Sequence, residues 1–225
     1  MSNARLASMK MPSYTKGEEI FNMVSHIAGG ALGITATVLC VVVAAVKGSV
    51  YGVIGGAIFG TTMIMLYCVS SIYHGLNPDM CAKRVFRILD HCAIYLLVAG
   101  TYTPITLCTV REYNTADGWT LFGIVWGLAA LGITITAATT SKYKKIIEII
   151  LYLGMGWCVV FAKDAVFAGM ETGGLIFLLV GGIAYTIGAA LYALGKKKNY
   201  VHSVFHLFVV FGSLMHFFCI LFYVL

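Results

Sequence analysis

The residues best placed by type and spacing to do chemistry are His202 and His206, in the run His202-Ser-Val-Phe-His206 at the start of the last apolar stretch. Four residues of α-helix advance one full turn plus about 40°, so both imidazoles project from one face, roughly 6 Å apart along the axis. Such a pair is ready to hold a metal ion. The plain alternative is an interfacial pair that is merely hydrogen-bonded, and imidazole inside a bilayer needs a partner in either case. The pair alone leaves both readings open, so further ligands must come from elsewhere in the chain.

The elements that must supply them are set by composition. The chain has 225 residues, 60% of them hydrophobic and 11% charged, and its mean hydropathy is +0.91. A soluble domain carries about 25% charged residues, so this is a protein dissolved in lipid. The seven cysteines include no C-x-x-C pair, and all but Cys81 lie in apolar runs. They read as small buried hydrophobes, neither a disulfide framework nor a thiolate metal site. The first twenty residues contain no apolar signal-peptide core. Residues 1–18 are expected to form a flexible cytosolic segment ahead of a seven-helix transmembrane domain over 19–225.

Apolar runs long enough to cross about 30 Å of hydrocarbon fall at 21–46, 51–74, 87–108, 119–140, 146–167, 173–194 and 200–225. The expected fold is all-α, a seven-transmembrane helix bundle with mostly short connections. Of the 15 basic residues, Arg5, Lys10, Lys16, Lys83, Arg84, Arg87, Lys142, Lys144, Lys145, Lys196, Lys197 and Lys198 fall on one side, against Lys47, Arg111 and Lys163 on the other. By the positive-inside rule the N-terminus is cytosolic and the C-terminus outside. This distribution assigns the net charge of +6 to topology, and no nucleic-acid partner is expected. Glycines spaced by four, such as Gly52, Gly56 and Gly60, suit close helix approach in lipid. Pro104 is expected to kink helix 3 near its outer end.

With this topology the polar intramembrane residues can be ranked by depth. Ser70 and His74 end helix 2 on one face, Asp90 lies about one turn into helix 3, and His202 and His206 begin helix 7. Glu19, Asn22 and His26 follow an i, i+3, i+7 stripe at the start of helix 1. Four helices thus bring polar groups to one leaflet. Such a set suits a divalent metal with nitrogen ligands, with zinc the first choice. His74, His202 and His206 as neutral imidazoles would leave a fourth tetrahedral position open to water. Asp90 could hold or deprotonate that water, and Ser70 could orient a ligand or donate to a developing oxyanion.

Each residue also has a bland reading. Asp90 could pair with Arg87, Ser70 could bond its own helix carbonyl, and Glu19 and Asn22 could simply cap and begin helix 1. His26, deeper by one to two turns, is either a residue standing behind the ligands or a satisfied core histidine. His91 points about 100° away from Asp90 and reads as structural. His216, about 20 Å above His202 by helical rise, reads as a packed polar residue.

Together these motifs resemble a known family. Glu18-Glu19-Ile-Phe-Asn22-Met-Val-Ser-His26, Ser70-Ser-Ile-Tyr-His74, Leu89-Asp90-His-Cys-Ala-Ile-Tyr-Leu-Leu-Val-Ala-Gly-Thr-Tyr-Thr-Pro104 and His202-x-x-x-His206 look like the bacterial hemolysin III family. That family is similar to the progestin and adiponectin receptors, within a wider group that includes alkaline ceramidases. The resemblance implies a multi-pass zinc protein of the bacterial cytoplasmic membrane. It implies the ion on His74, His202 and His206, with Asp90 contacting it directly or through water and Ser70 close by. The interval from His74 to Asp90 is a residue shorter than in the receptors, and no counterpart of their long N-terminal domain is expected. No protein hormone is expected as a partner, and membrane lipids are.

Two functions fit an open zinc site at head-group level. One is hydrolysis of a lipid amide or ester, with Asp90 and Ser70 as catalytic groups. The other is sensing or regulation of membrane lipid state, in which the ion braces helices 2, 3 and 7 between two packings. A solute or ion carrier ranks lower, because the polar cluster sits at one leaflet and not at mid-membrane. A pore-forming, cytolytic role is an alternative carried by the family name, since nothing in the chain resembles a secreted pore former. A retinal protein ranks lower still, because helix 7 contains no lysine for a Schiff base. The topology has a direct check: a phosphatase fused after Leu225 is expected to be active, as only an outside location permits, and one fused at residue 141 inactive.

Overall fold

The computed structural model describes residues 9, 11–139, 141, 143–194 and 199–225. Among these there are helices and turns and no strand. Seven helices are long and apolar enough to cross a membrane: α1 Lys16–Val46, α2 Val50–Gly75, α3 Cys81–Tyr113, α4 Thr115–Ala138, α5 Lys144–Gly169, α6 Thr172–Leu194 and α7 Val201–Val224. The expected seven-helix, all-α architecture is therefore the one observed.

Local chemistry sets where several of them begin. Thr15 accepts from the Glu18 N–H at 3.2 Å, and the Glu18 carboxylate accepts from the Thr15 N–H at 2.8 Å. This reciprocal capping box starts α1 at Lys16, three residues ahead of the boundary expected at 19. Ser49 caps α2 through the Gly52 N–H, and Asn114 caps α4 through the N–H groups of Ala116 and Asp117.

The bundle is built around α3. In its most apolar window 89% of residues are buried, against 22–50% in the other six spans, so α3 is the central helix and the rest surround it. One core cluster joins α1, α2, α3 and α7 through Cys40, Phe59, Met63, Tyr67, Leu97 and Phe217. The other joins α3, α4 and α5 through Tyr95, Tyr102, Val125, Ala129, Met155 and Val166. The outer surface carries exposed Ile, Leu, Val and Phe on every peripheral helix, including Ile34, Ile54, Ile124, Ile150, Leu179 and Phe211. Such a surface is stable only against hydrocarbon. The protein is a multi-pass membrane protein.

Of the basic residues counted on one side, Lys16, Lys83, Arg84, Arg87, Lys144 and Lys145 begin α1, α3 and α5, at the end of the bundle where α2 and α6 finish. Lys83 bonds to Glu19 of α1, and Lys145 to the Ala193 carbonyl of α6. Arg5, Lys10, Lys142, Lys196, Lys197 and Lys198 lie outside the described residues.

Two spans depart from regular α-helix. After Pro104 the ladder of α3 widens to a π turn over Ile105–Val110, because proline brings no N–H and crowds the preceding turn. The sequence located this irregularity. It did not signal the one in α5, where the helix stops at Gly156 and re-forms at Lys163 after a 3₁₀ stretch, Cys158–Ala162. Backbone freed inside a membrane must be re-paired. Tyr102 of α3 does this with one hydroxyl, donating to the Gly156 carbonyl and accepting from the Val159 N–H, both at 2.8 Å. Replacing Tyr102 by Phe leaves two backbone groups within a membrane span unpaired. The expected result is a loss of about 1–3 kcal/mol, seen as a lower Tm of the detergent-solubilised variant.

Candidate metal centre

The site lies at the end of the bundle where α1, α3 and α7 begin and α2 finishes. One ring nitrogen each from His74, His202 and His206 falls within a group whose members lie no more than 4.8 Å apart. His74 closes α2, and His202 and His206 occupy the first two turns of α7. That start is held in place by Glu18, whose carboxylate accepts from the Tyr200 N–H at 2.8 Å. Tyr200 is the one non-glycine residue described with positive φ, at 64°, so this bond stabilises a left-handed backbone turn directly before the two histidines.

The hydrogen bonds indicate which nitrogens face inward. His74 Nδ1 lies 2.6 Å from Glu19 Oε2, a separation that puts the proton on Nδ1 and leaves the Nε2 lone pair free. His74 Nε2 is buried and has no partner. His202 Nε2 and His206 Nε2 are 3.0 Å apart. Two nitrogens at about 2.1 Å on a tetrahedral ion would be about 3.4 Å apart, so the pair needs only a small opening to share one. Tyr14, just ahead of α1, stacks over His202 with ring centroids 5.0 Å apart and planes at 17°. This limits the mobility of the one triad member that is only half-buried.

Glu19 does more than begin its helix. Glu18 serves the cap, while Glu19 receives His74 on one oxygen and Lys83 Nζ, at 2.8 Å, on the other. Lys83 is 2% exposed and also donates to the Leu76 carbonyl at 2.8 Å. A lysine this buried is tolerable only with its charge paired. Asn22 Nδ2 stands 3.5 Å from His74 Nδ1. His26 packs with its centroid 3.9 Å from that of His206 and edge-on to Tyr67, and neither of its nitrogens has a partner. Tyr67 reaches this position because Gly29 faces its ring, where a Cβ would come within 2.6 Å of it.

Asp90 and Ser70 are both buried and line a cavity that His26 and His206 also border. Asp90 lies outside the group of three histidines and makes no ion pair with Arg87. The Ser70 hydroxyl has no partner, so it does not bond its own helix carbonyl. Most of the unpartnered buried polar atoms among the described residues thus gather here: His74 Nε2, His206 Nδ1, both His26 nitrogens, Asn22 Oδ1 and Ser70 Oγ. Buried polar groups are normally satisfied, and their concentration around three convergent imidazoles is the physical sign of a ligand site. The group could hold a metal ion.

The cavity measures about 370 Å³ and runs from this cluster through a mostly apolar interior between α3, α5, α6 and α7. Its wall includes the broken segment of α5, with Trp157 and Val160, and Ile176 and Leu179 of α6. All four are also exposed on the outer surface, so the cavity opens sideways between α5 and α6.

A second polar cluster, not foreseen as such, joins α3, α4 and α5. Glu148, 1% exposed, lies 3.2 Å from His91 Nδ1 and accepts from Thr136 Oγ1 at 3.0 Å, with Lys144 Nζ 3.7 Å away. Lys144 also donates to the Thr136 carbonyl, and Tyr152 to the His91 carbonyl. Lys83, Tyr14 and the His91–Glu148 pair were invisible to spacing arguments, because each depends on a partner more than 50 residues away.

Comparison with known proteins agrees with this arrangement of motifs. The family described as haemolysin-III related matches residues 14–217. Hemolysin-3 of Bacillus cereus is 38% identical over 216 residues, which cover 96% of this chain and 95% of that protein. The Hemolysin-3 homolog of Bacillus subtilis (strain 168) is 37% identical over 210 residues, 93% of this chain and 96% of that protein. More distantly, monocyte to macrophage differentiation factor of Homo sapiens is 27% identical over 169 residues, 72% of this chain and 67% of that protein. The shared region runs from Tyr14, over the histidine cluster, to Phe217 beyond it, and the chain belongs to the haemolysin-III-related family.

Proposed function

We propose that this protein is a zinc-binding regulator of membrane lipids that hydrolyses a lipid amide or ester, with the acyl chain in the cavity and its carbonyl beside His74, His202 and His206. The observation that carries this reading is the junction of two features: orphaned polar atoms around three imidazoles, and an apolar cavity that opens sideways toward hydrocarbon. His74 Nε2, with one nitrogen each from His202 and His206, would hold the ion. Zinc bound there would polarise a carbonyl and bring the pKa of a bound water to roughly 7.

The chain's own groups have separable tasks. Glu19 fixes the tautomer and rotation of His74 through Nδ1, and Lys83 holds Glu19 in turn. Asp90 would take a proton from the attacking water and return it to the leaving nitrogen or oxygen as the acyl bond breaks. The Ser70 hydroxyl, having no partner of its own, would donate to the carbonyl oxygen as it gains charge. The apolar lining would exclude bulk water. A hydrated ion path would need polar lining, so the cavity's interior speaks against a carrier or pore. With the positive-inside orientation in the cytoplasmic membrane, the site would serve the cytosolic leaflet.

Metal analysis of purified protein should find about one equivalent of zinc, lost in His74→Ala, His202→Ala and His206→Ala. Glu19→Gln should retain the site but weaken zinc affinity about 10- to 100-fold, read by competition with a chelator. Asp90→Asn should keep its zinc and lose about 10²- to 10⁴-fold in lipid cleavage. Zinc binding with no cleavage of any lipid class by the wild type would leave the protein a sensor, in which the ion braces α2 against α7. Absence of zinc from the wild type would remove both readings.

A further inference from the structure

The cavity has a second polar end. His216, on α7, lies ten residues beyond His206 and borders the same cavity. The histidine is 6% exposed, its Nδ1 is buried without a partner, and neither ring nitrogen hydrogen-bonds to any described residue. Its position is built. Gly181 of α6 faces the ring so closely that a Cβ there would come within 2.6 Å of Cε1 and Nδ1. Tyr185, one turn further along the same helix, packs edge-on at 5.1 Å, and its own hydroxyl is committed to Ser213 at 2.8 Å, as is that of Tyr67 at 2.6 Å. The surrounding hydroxyls are thus engaged with one another, and the imidazole is left facing the cavity.

An unsatisfied imidazole in an apolar membrane interior costs free energy unless something completes it. Helical rise puts His216 about 15 Å along the axis from His206, a length spanned by roughly 12 carbons of an extended chain advancing about 1.25 Å each. The lining between the two ends is almost wholly apolar, with Ile94, Val98, Leu178 and Val209 among it. A plain acyl chain would fill that stretch and still leave His216 unpaired.

We infer that His216 is a second polar subsite, selecting a lipid whose chain carries a hydroxyl about 12 carbons from the carbonyl held at the histidine cluster. The inference rests on the proposed lipid occupancy of the cavity and adds to it the chemistry of the chain. His216 offers either an acceptor or a donor nitrogen to the hydroxyl, and one such bond accounts for a several-fold preference.

The test is equilibrium binding to purified wild-type protein in nanodiscs, comparing octadecanoic acid with its 3-hydroxy and 12-hydroxy forms. The expected result is at least threefold tighter binding of the 12-hydroxy acid than of the other two. His216→Phe should abolish that preference while keeping zinc content and affinity for octadecanoic acid. Gly181→Ala, which pushes the ring aside, should reduce the preference without touching either ligand end. Equal binding of all three acids by the wild type would overturn the subsite and leave the lipid reading intact, and needs no variant to fold. A wild type that carries zinc but binds none of the acids would overturn the lipid reading and the subsite with it.

Discussion

A single half-buried carboxylate ties the site to the fold. Glu19 holds His74 of α2 on one oxygen and Lys83 of α3 on the other, so the first turn of α1 joins the end of α2 to the beginning of α3. Each member is tolerable in this setting only because of the next. The lysine is buried because its charge is met, the carboxylate because two donors satisfy it, and the imidazole because its proton has an acceptor. Glu18 performs the matching task one residue earlier, pairing with the backbone that leads into α7. Two adjacent acids thus gather four helices around one point.

The same requirement for satisfied polar groups accounts for the cavity. The break in α5 frees backbone groups that lipid cannot solvate, and Tyr102 answers both with one hydroxyl. The broken segment lines the cavity with Trp157 and Val160, and Trp157 is held to α6 by its bond to Thr186. The unpartnered atoms are then informative, because most of those among the described residues lie at the histidine cluster, with another at His216.

Much of this was legible beforehand, for a definite reason. Hydrophobic runs of about 20 residues follow from bilayer thickness, so seven spans could be counted without tertiary information. Alternation of helix direction then assigned every polar residue a depth, and this brought His74 on α2 to the level of His202 and His206, more than 120 residues later. The structure has these three histidines within ligand distance of one another. Pro104 announced its irregularity because proline lacks a donor wherever it stands, whereas the break in α5 follows Gly154 and Gly156, which weaken a helix without fixing where it stops, and is completed by a tyrosine of another helix.

The sequence by itself therefore determined the class of molecule, the number of spans, the family and the level at which its chemistry-bearing residues lie. The class, the spans and the level follow from properties that each segment carries alone, hydropathy, helical period and charge, and the family from the resemblance of its motifs. Only the tertiary structure decided that Glu19 pairs with His74 while Asp90 faces the cavity, that Lys83 is an internal counter-ion and not a surface charge, and that His91 belongs with Glu148. Those are choices among partners at equal depth. They are made by the rotation and approach of helices distant in sequence, which no local pattern encodes.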